Sequence, residues 1–332
     1  MSKDNKKNIL SNSLIRPIRN EKWQPITIPL VSIIISFIAA AIVILLIGKN
    51  PLQAFYNLLQ GSGILPKSTY AGYKSMLTDF LSLLNAMTPL VFASLAVAVA
   101  FKAGLFNIGV SGQMLVSGFL ATIIVGYSGL DAIIAKPLVL LIGIIAGGLI
   151  GGLVGWLKYK FNIHEVVSTI MLNYIAQYVI SFFIQMYYID PVSRQSKYIE
   201  ETARLTLVNV EIANLKMDIP LGFILAIIIA ILLKFVMDKT VVGYEIKAVG
   251  NNRNAAKYAG INVGGNTVLA MVISGGLAGL AGVTYYLGYF SSIQPKVLSS
   301  IGFDSIAVSL LGNSHPIGVI FSSFLISVID QG

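Results

Sequence analysis

The sequence predicts an all-α, polytopic membrane helical bundle, and three observations carry that prediction. Hydrophobic residues make up 56% of the 332 and charged residues only 11%. Soluble domains run near about a quarter charged, so this chain could not cover a water-facing surface of its size. Mean hydropathy is +0.81. Apolar runs long enough to cross a hydrocarbon core of about 30 Å, roughly 20 residues in helical form, recur along the chain.

These runs fall at 26–47, 80–101, 105–126, 137–157, 166–189, 219–237 and 267–288. Backbone polar groups in lipid must be bonded internally, so each is expected to be a helix. A less regular stretch, 303–330, is broken by Gly312, Asn313, Ser314, His315 and Pro316. It reads as two shorter helical pieces, tolerable only where the break is buried in protein or lines a cavity. Residues 1–25 are basic and polar, with Lys3, Lys6, Lys7, Arg16, Arg19 and Lys22. The run that follows is longer than a signal-peptide core and lacks a cleavage site, so it is expected to be retained as the first span. The transmembrane domain then covers 26–332.

Charge gives an expected orientation. With the N-terminus in the cytoplasm, fourteen basic residues lie inside and nine outside, although the external loops, about 48–79 and 190–218, are the longer ones. Segment 190–218 is net acidic, which also fits a cytoplasmic N-terminus under the positive-inside rule. The net charge of +9 is therefore topological, and no nucleic-acid partner is expected. There is no cysteine, and His164 and His315 lie far apart, so no metal site is expected. Gly143, Gly147 and Gly151 recur every fourth residue, and Gly275, Gly276, Gly279 and Gly282 repeat the theme. Such stripes let helices approach closely, which is favoured over a substrate-lining role.

Catalytic motifs fail. Gly61, Lys67 and Ser68 stand at P-loop spacing, but Pro66 replaces the second glycine, no strand is expected before them, and the topology puts them outside. Ionisable groups within the spans, which a membrane enzyme or proton-coupled carrier needs, are nearly absent, Asp304 being the main exception. An ion-coupled secondary transporter, with intramembrane carboxylates and inverted repeats, stays as the alternative from another class.

Between the sixth and seventh long runs, about 238–266, lies an alanine-rich polar segment. Asn252 or Asn254 can cap a short helix there and Gly260 can end it in the left-handed conformation. On residues alone, a partner-docking helix and an ordinary loop are even. The segment from Gly243 through Glu245, Ala248, Gly250, Asn252, Ala255, Ala256 and Gly260 to Ile261 resembles the coupling loop of ABC importer permeases. It is similar to the branch serving nucleosides, simple sugars and branched-chain amino acids. Gly104, Asn107, Gly109, Gly112 and Gln113, then Glu165, Thr169, Asn173 and Tyr174, and finally Gly302, Asp304, Gly312, Pro316 and Gly318 resemble nucleoside-type signatures of that branch. The resemblance runs from about residue 25 to the end. Ser111 and His164 depart from it, standing where an acidic residue and an asparagine are common, and the chain stops about where relatives have a further span, so a truncation or a permease short of one helix is expected.

The resemblance implies a type II ABC importer-like permease with a short cytoplasmic coupling helix, in a bacterial cytoplasmic (inner) membrane. It implies a second permease subunit (a paralogue or another copy), a separate ABC ATPase that binds ATP and Mg, and an extracytoplasmic substrate-binding protein or lipoprotein. This chain itself would hold no cofactor. Glu245, Gly250, Asn252, Ala255, Ala256 and Gly260 would couple to the ATPase. For a nucleoside, or alternatively a sugar such as ribose or galactose, the uncharged polar residues within spans are pathway candidates: Asn85, Asn107, Gln113, Asn173 and Gln177, with Thr88 and Gln185. Their competing reading is hydrogen bonding between helices, favoured for any single one of them.

Overall fold

The computed structural model describes residues 24–67, 75–212 and 215–332. The basic residues from Lys3 to Lys22, and Ser68 and Lys74, lie outside them. The chain divides into two units at Leu58/Leu59. The first holds α1 (Gln24–Leu46) and the start of α2 (Pro51–Gly61), with Phe37 and Phe55 in edge-to-face contact at 5.4 Å.

The second unit is a helical bundle of α3 (Met76–Lys102), α4 (Val110–Ala121), α5 (Ala132–Phe161), α6 (Glu165–Phe183), α7 (Leu221–Lys239), α8 (Val241–Asn251), α9 (Arg253–Tyr258), α10 (Val263–Thr284), α11 (Ile301–Leu311) and α12 (Pro316–Gln331). Among the described residues, counting α1, six helices are long and apolar enough to span a membrane. Two of them are central: 89% of the best apolar window of α3 is buried and 78% of that of α10, against 28–44% for α5, α6 and α7. A helix apolar all round belongs inside, and one buried on a single side leaves its other face to lipid.

The glycine stripes explain how the centre closes. α5 and α10 cross along Gly143, Gly147 and Gly151 on one side and Gly275 and Gly279 on the other. A Cβ at Gly147 would run into the Gly275 carbonyl oxygen, and one at Gly279 into that of Gly143. Only bare backbones allow that approach.

One expectation needs correction, and three segments between the spans hold regular structure of their own. The run at 105–126 is not helical throughout: residues 103–109 are non-helical and the helix begins at Val110, for reasons given below. The segment at 48–79 contains α2, which directly precedes the P-loop-like stretch. The segment at 190–218 folds into an antiparallel hairpin, β1 (Thr206–Ile212) with β2 (Leu215–Pro220), bulged between Leu207 and Val210. The segment at 238–266 carries two helices, α8 and α9, where one was expected. The break at 312–315 is as expected: Asn313 and Ser314 take positive φ, 54° and 50°, and α12 restarts on Pro316, whose missing N–H costs nothing at a helix start.

Three helices end in a π-helical turn: Thr122–Gly126 after α4, Ile184–Tyr188 after α6 and Tyr285–Tyr289 after α10. One segment gathers all three. Glu200 N–H donates to Gly126 O at 3.1 Å, Lys197 N–H to Tyr188 O at 2.9 Å and Leu205 N–H to Leu287 O at 2.9 Å. Widened final turns leave carbonyls unpaired within the helix, and these bonds satisfy one at each.

Candidate functional site: a polar hub and a capped helix end

The signature residues of α4 and α6 meet in one buried network. Asn107 Nδ2 donates to Gln113 Oε1 at 3.0 Å and to Ser274 Oγ at 2.9 Å, while its Oδ1 accepts Gly109 N–H at 3.0 Å. Ser274 Oγ donates on to Ala96 O at 2.7 Å. Asn173 Oδ1 accepts Gly112 N–H and its Nδ2 donates to Ile108 O, both at 2.9 Å. Within the stretch 103–109, Asn107 pairs the Gly109 N–H and Asn173 the Ile108 carbonyl, while the N–H groups of 103–105 bond back to the end of α3. Unwound backbone at membrane depth persists only where such groups satisfy it, so the amides account for the late start of α4.

Of the other pathway candidates, Asn85, Gln177 and Thr88 bond within the chain, and Gln185 is exposed on the π turn after α6. Asn85 Oδ1 accepts from Thr206 Oγ1 at 3.0 Å, fastening the hairpin to α3. Gln177 Nε2 donates to Lys296 O at 2.6 Å, and Thr88 Oγ1 turns back on Leu84 O at 2.8 Å. Asn107, Gln113 and Asn173 are 1–3% exposed. A cavity of about 270 Å³ does open between α4, α5 and α6, and Gln113, Thr169 and Asn173 border it. Its wall is otherwise Val116, Leu120, Leu172, Val179 and similar side chains, which offer nothing to a polar solute.

The far end of the bundle is built differently. Thr240 caps α8 by accepting Gly243 N–H at 3.3 Å. Gly250 packs on the end of α3, where a Cβ would strike Lys102 O. Glu245 Oε2 accepts from Asn266 Nδ2 at 2.8 Å, tying α8 to α10. Glu245 and Gly250 thus face their own bundle. α9 does not. Asn252 caps it, Oδ1 accepting the N–H groups of Asn254 and Ala255 at 3.0 Å each. Gly260 ends it at φ +78° with nothing within 4 Å of where a Cβ would stand. Of its six residues only Ala256 is buried. Ala255 is exposed, and Tyr258 is 94% exposed, an aromatic that sequence periodicity in so short a helix gave no means to single out. Beside this end, Lys158 and Glu165 form an ion pair at the α5–α6 turn. His164 Nδ1 lies 3.6 Å from the same carboxylate and accepts Val166 N–H at 3.3 Å as the cap of α6. Among the described residues, no three His, Asp or Glu side chains come together to hold a metal.

Comparison with known proteins bears on the family of the whole chain. The family model for "Branched-chain amino acid transport system / permease component" matches residues 80–332. The chain is 34% identical to the nucleoside ABC transporter permease protein NupB of Lactococcus lactis over 94% of this chain and 85% of the relative. It is 37% identical to the guanosine ABC transporter permease protein NupP of Bacillus subtilis over 92% and 84%. A glucose ABC transporter permease protein, TsgB13 of Haloferax volcanii, is 27% identical over 74% and 66%. No solved structure matches the chain significantly.

Proposed function

The chain belongs to the family of permease components of branched-chain amino acid transport systems, a transport subunit of an ABC importer, and on that footing we propose that it carries nucleosides. It forms the pathway with a second permease subunit, takes substrate from an extracytoplasmic binding protein and is driven by a cytoplasmic ATPase that binds ATP and Mg. In this reading α9 faces the cytoplasm, as the charge distribution favours, and the N-terminus lies on the same side of a bacterial cytoplasmic membrane.

The observation that carries the ATP-driven reading is α9 itself. It is capped at both ends, packs against α8 and α10, and presents Ala255 and Tyr258 outward. A short rigid helix with an exposed aromatic and a small neighbour suits insertion into a groove on a partner. The nucleoside reading is supported by the two relatives that align over more than nine tenths of this chain, both with nucleoside or guanosine in their names. The glucose relative keeps a sugar as the second reading.

Uptake of radiolabelled guanosine by cells with and without the gene, with ribose and glucose as competitors, tests this. Loss of ATP-dependent uptake on deletion, with competition by nucleosides and not by sugars, is expected. Competition by ribose or glucose moves the substrate to sugars. Uptake that survives ATP depletion and collapses with the ion gradient overturns the ATP-driven reading.

A further inference from the structure

The end of α10 opposite α9 holds a cavity unlike the others. It measures about 340 Å³, within the range of roughly 300–1,000 Å³ usual for small-molecule sites. Its wall is about half apolar and half polar, with Tyr285, Phe290, Val297 and Leu298 beside Gln195, Ser292, Gln294 and Ser299. The groove between α5, α7 and α10 is lined by Ile, Leu and Val with one glycine and suits a lipid chain. A mixed wall of amides, hydroxyls and rings suits a planar solute with hydrogen-bonding edges.

The wall is fixed before any solute arrives. Segments 195–199 and 291–293 are zipped together: Ser196 N–H donates to Ile293 O at 2.9 Å, Ile293 N–H to Ser196 Oγ at 2.8 Å, and Ile199 N–H to Ser291 O at 2.9 Å. Ser292 Oγ donates to Gln195 Oε1 at 2.5 Å. That bond orients the Gln195 amide, and no described residue accepts from its Nε2. The opposite side is pinned to the bundle. Ser111 Oγ donates to Ser299 O at 2.9 Å, and Lys296 is held through its N–H by Ser181 Oγ at 2.7 Å and through its O by Gln177. A carboxylate at 111 could not make that donation, so the departure at Ser111 serves this loop. Tyr285 and Phe290 pack edge to face at 4.9 Å, yet Phe290 keeps 45% of its surface exposed. It stands immediately after the π turn of α10, a kind of turn often found at functional sites.

We propose that this cavity is a substrate subsite at the mouth distal to α9, taking the base of a nucleoside against Phe290 with the Gln195 and Gln294 amides on its polar edge. This rests on the nucleoside reading above. Gln177, which sequence reasoning singled out for the pathway, is then a positioning residue acting through Lys296.

The test is guanosine uptake by proteoliposomes containing the complete transporter, this chain with its ATPase and partner permease. Phe290→Leu keeps bulk and removes the ring, and is expected to raise KM about tenfold, the loss of one base–aromatic stack. Gln294→Ala is expected to raise it several-fold. Phe290→Tyr restores a wild-type KM, and Phe303→Leu, at an exposed aromatic on α11, leaves KM unchanged. Should Phe290→Leu fail to insert, Gln294→Ala decides, because residue 294 is exposed in a loop. An unchanged KM in Phe290→Leu and Gln294→Ala, beside normal wild-type guanosine uptake, overturns the subsite alone. Absence of guanosine uptake by the wild-type transporter overturns the subsite together with the reading on which it rests.

Discussion

Gly260 separates two reasons for having a glycine at the end of a docking helix. Its φ is +78°, and an added Cβ would meet nothing in this chain within 4 Å. Inside the subunit the requirement is therefore conformational. An ordinary L-residue in the left-handed region costs roughly 1–2 kcal/mol, asparagine less because it bonds locally, and a β-branched residue more. α9 has six residues and cannot sustain itself, since isolated helices shorter than about 12 residues are marginal in water. It depends on the Asn252 cap, about 1 kcal/mol, and on the closing bonds from Gly260 N–H to Lys257 O at 3.1 Å and Ile261 N–H to Ala256 O at 3.0 Å. A penalty of 1–2 kcal/mol lowers the population of the formed helix about five- to thirty-fold. Coupled ATP hydrolysis and uptake in proteoliposomes should then fall in the order Gly260→Asn, mildly, Gly260→Ala, several-fold, and Gly260→Val, about tenfold or more. Asparagine and valine are similar in bulk, so an equal loss with both would refute the conformational argument and make space against the partner the reason. Wild-type coupling with valine would refute any role for the turn.

The remaining predictions concern stability. Gly147→Ala should destabilise the detergent-solubilised protein by about 1–3 kcal/mol, because the new methyl strikes backbone of α10 that cannot yield. Gly148→Ala, whose nearest neighbour, Val272, stands at 3.5 Å, should be neutral or gain up to about 1 kcal/mol from reduced chain entropy, and equal melting shifts would refute the seam. Lys158→Met leaves the Glu165 carboxylate, 6% exposed, without its partner, and removing one member of a buried pair costs about 3–5 kcal/mol. The double variant Lys158→Met/Glu165→Leu should recover most of that loss, and a double-mutant cycle with no coupling energy would show that the pair contributes nothing.

How much of this was legible in the sequence follows from which residues carried a period. Long apolar runs give helix positions within a few residues, as for α5, α6 and α10, because lipid leaves the backbone no alternative to internal bonding. Asn252, one of two cap candidates with Asn254, and Gly260 marked where a short helix could begin and end, since capping chemistry is local and needs no tertiary information. The glycine stripes likewise pointed to helix packing, although which helices they join was not readable until α5 and α10 were seen to cross. The run at 105–126 misled for the complementary reason. Its composition is apolar enough for a span, and one partner of the unwound backbone is Asn173, more than sixty residues away, bonding the Ile108 carbonyl. No window centred on 105–126 contains that partner. The hairpin was missed because β1 and β2 are stabilised by pairing with each other and by Thr206 on Asn85, not by any alternation strong enough to stand out in a polar loop.

The same asymmetry governs the functional residues. Polar side chains within apolar runs attract attention because each is costly there unless bonded, and that cost is the reason Asn107, Gln113 and Asn173 are already bonded to the protein and have little left to offer a solute. A residue free to bind must be one whose environment did not force it to pair. Such residues sit at helix ends and in loops, where water is the alternative partner and composition gives no alarm. Gln195, Phe290 and Gln294 are of this kind, and so are Ala255 and Tyr258. They become visible only when the ends of α10 are located in space, one fastened to α8 through Asn266 and Glu245 and the other opening into the aromatic cavity. The helix that joins these two ends also meets α5 backbone to backbone at Gly147, Gly151, Gly275 and Gly279, so a shift in it there displaces backbone on backbone, which yields less readily than a flexible side chain.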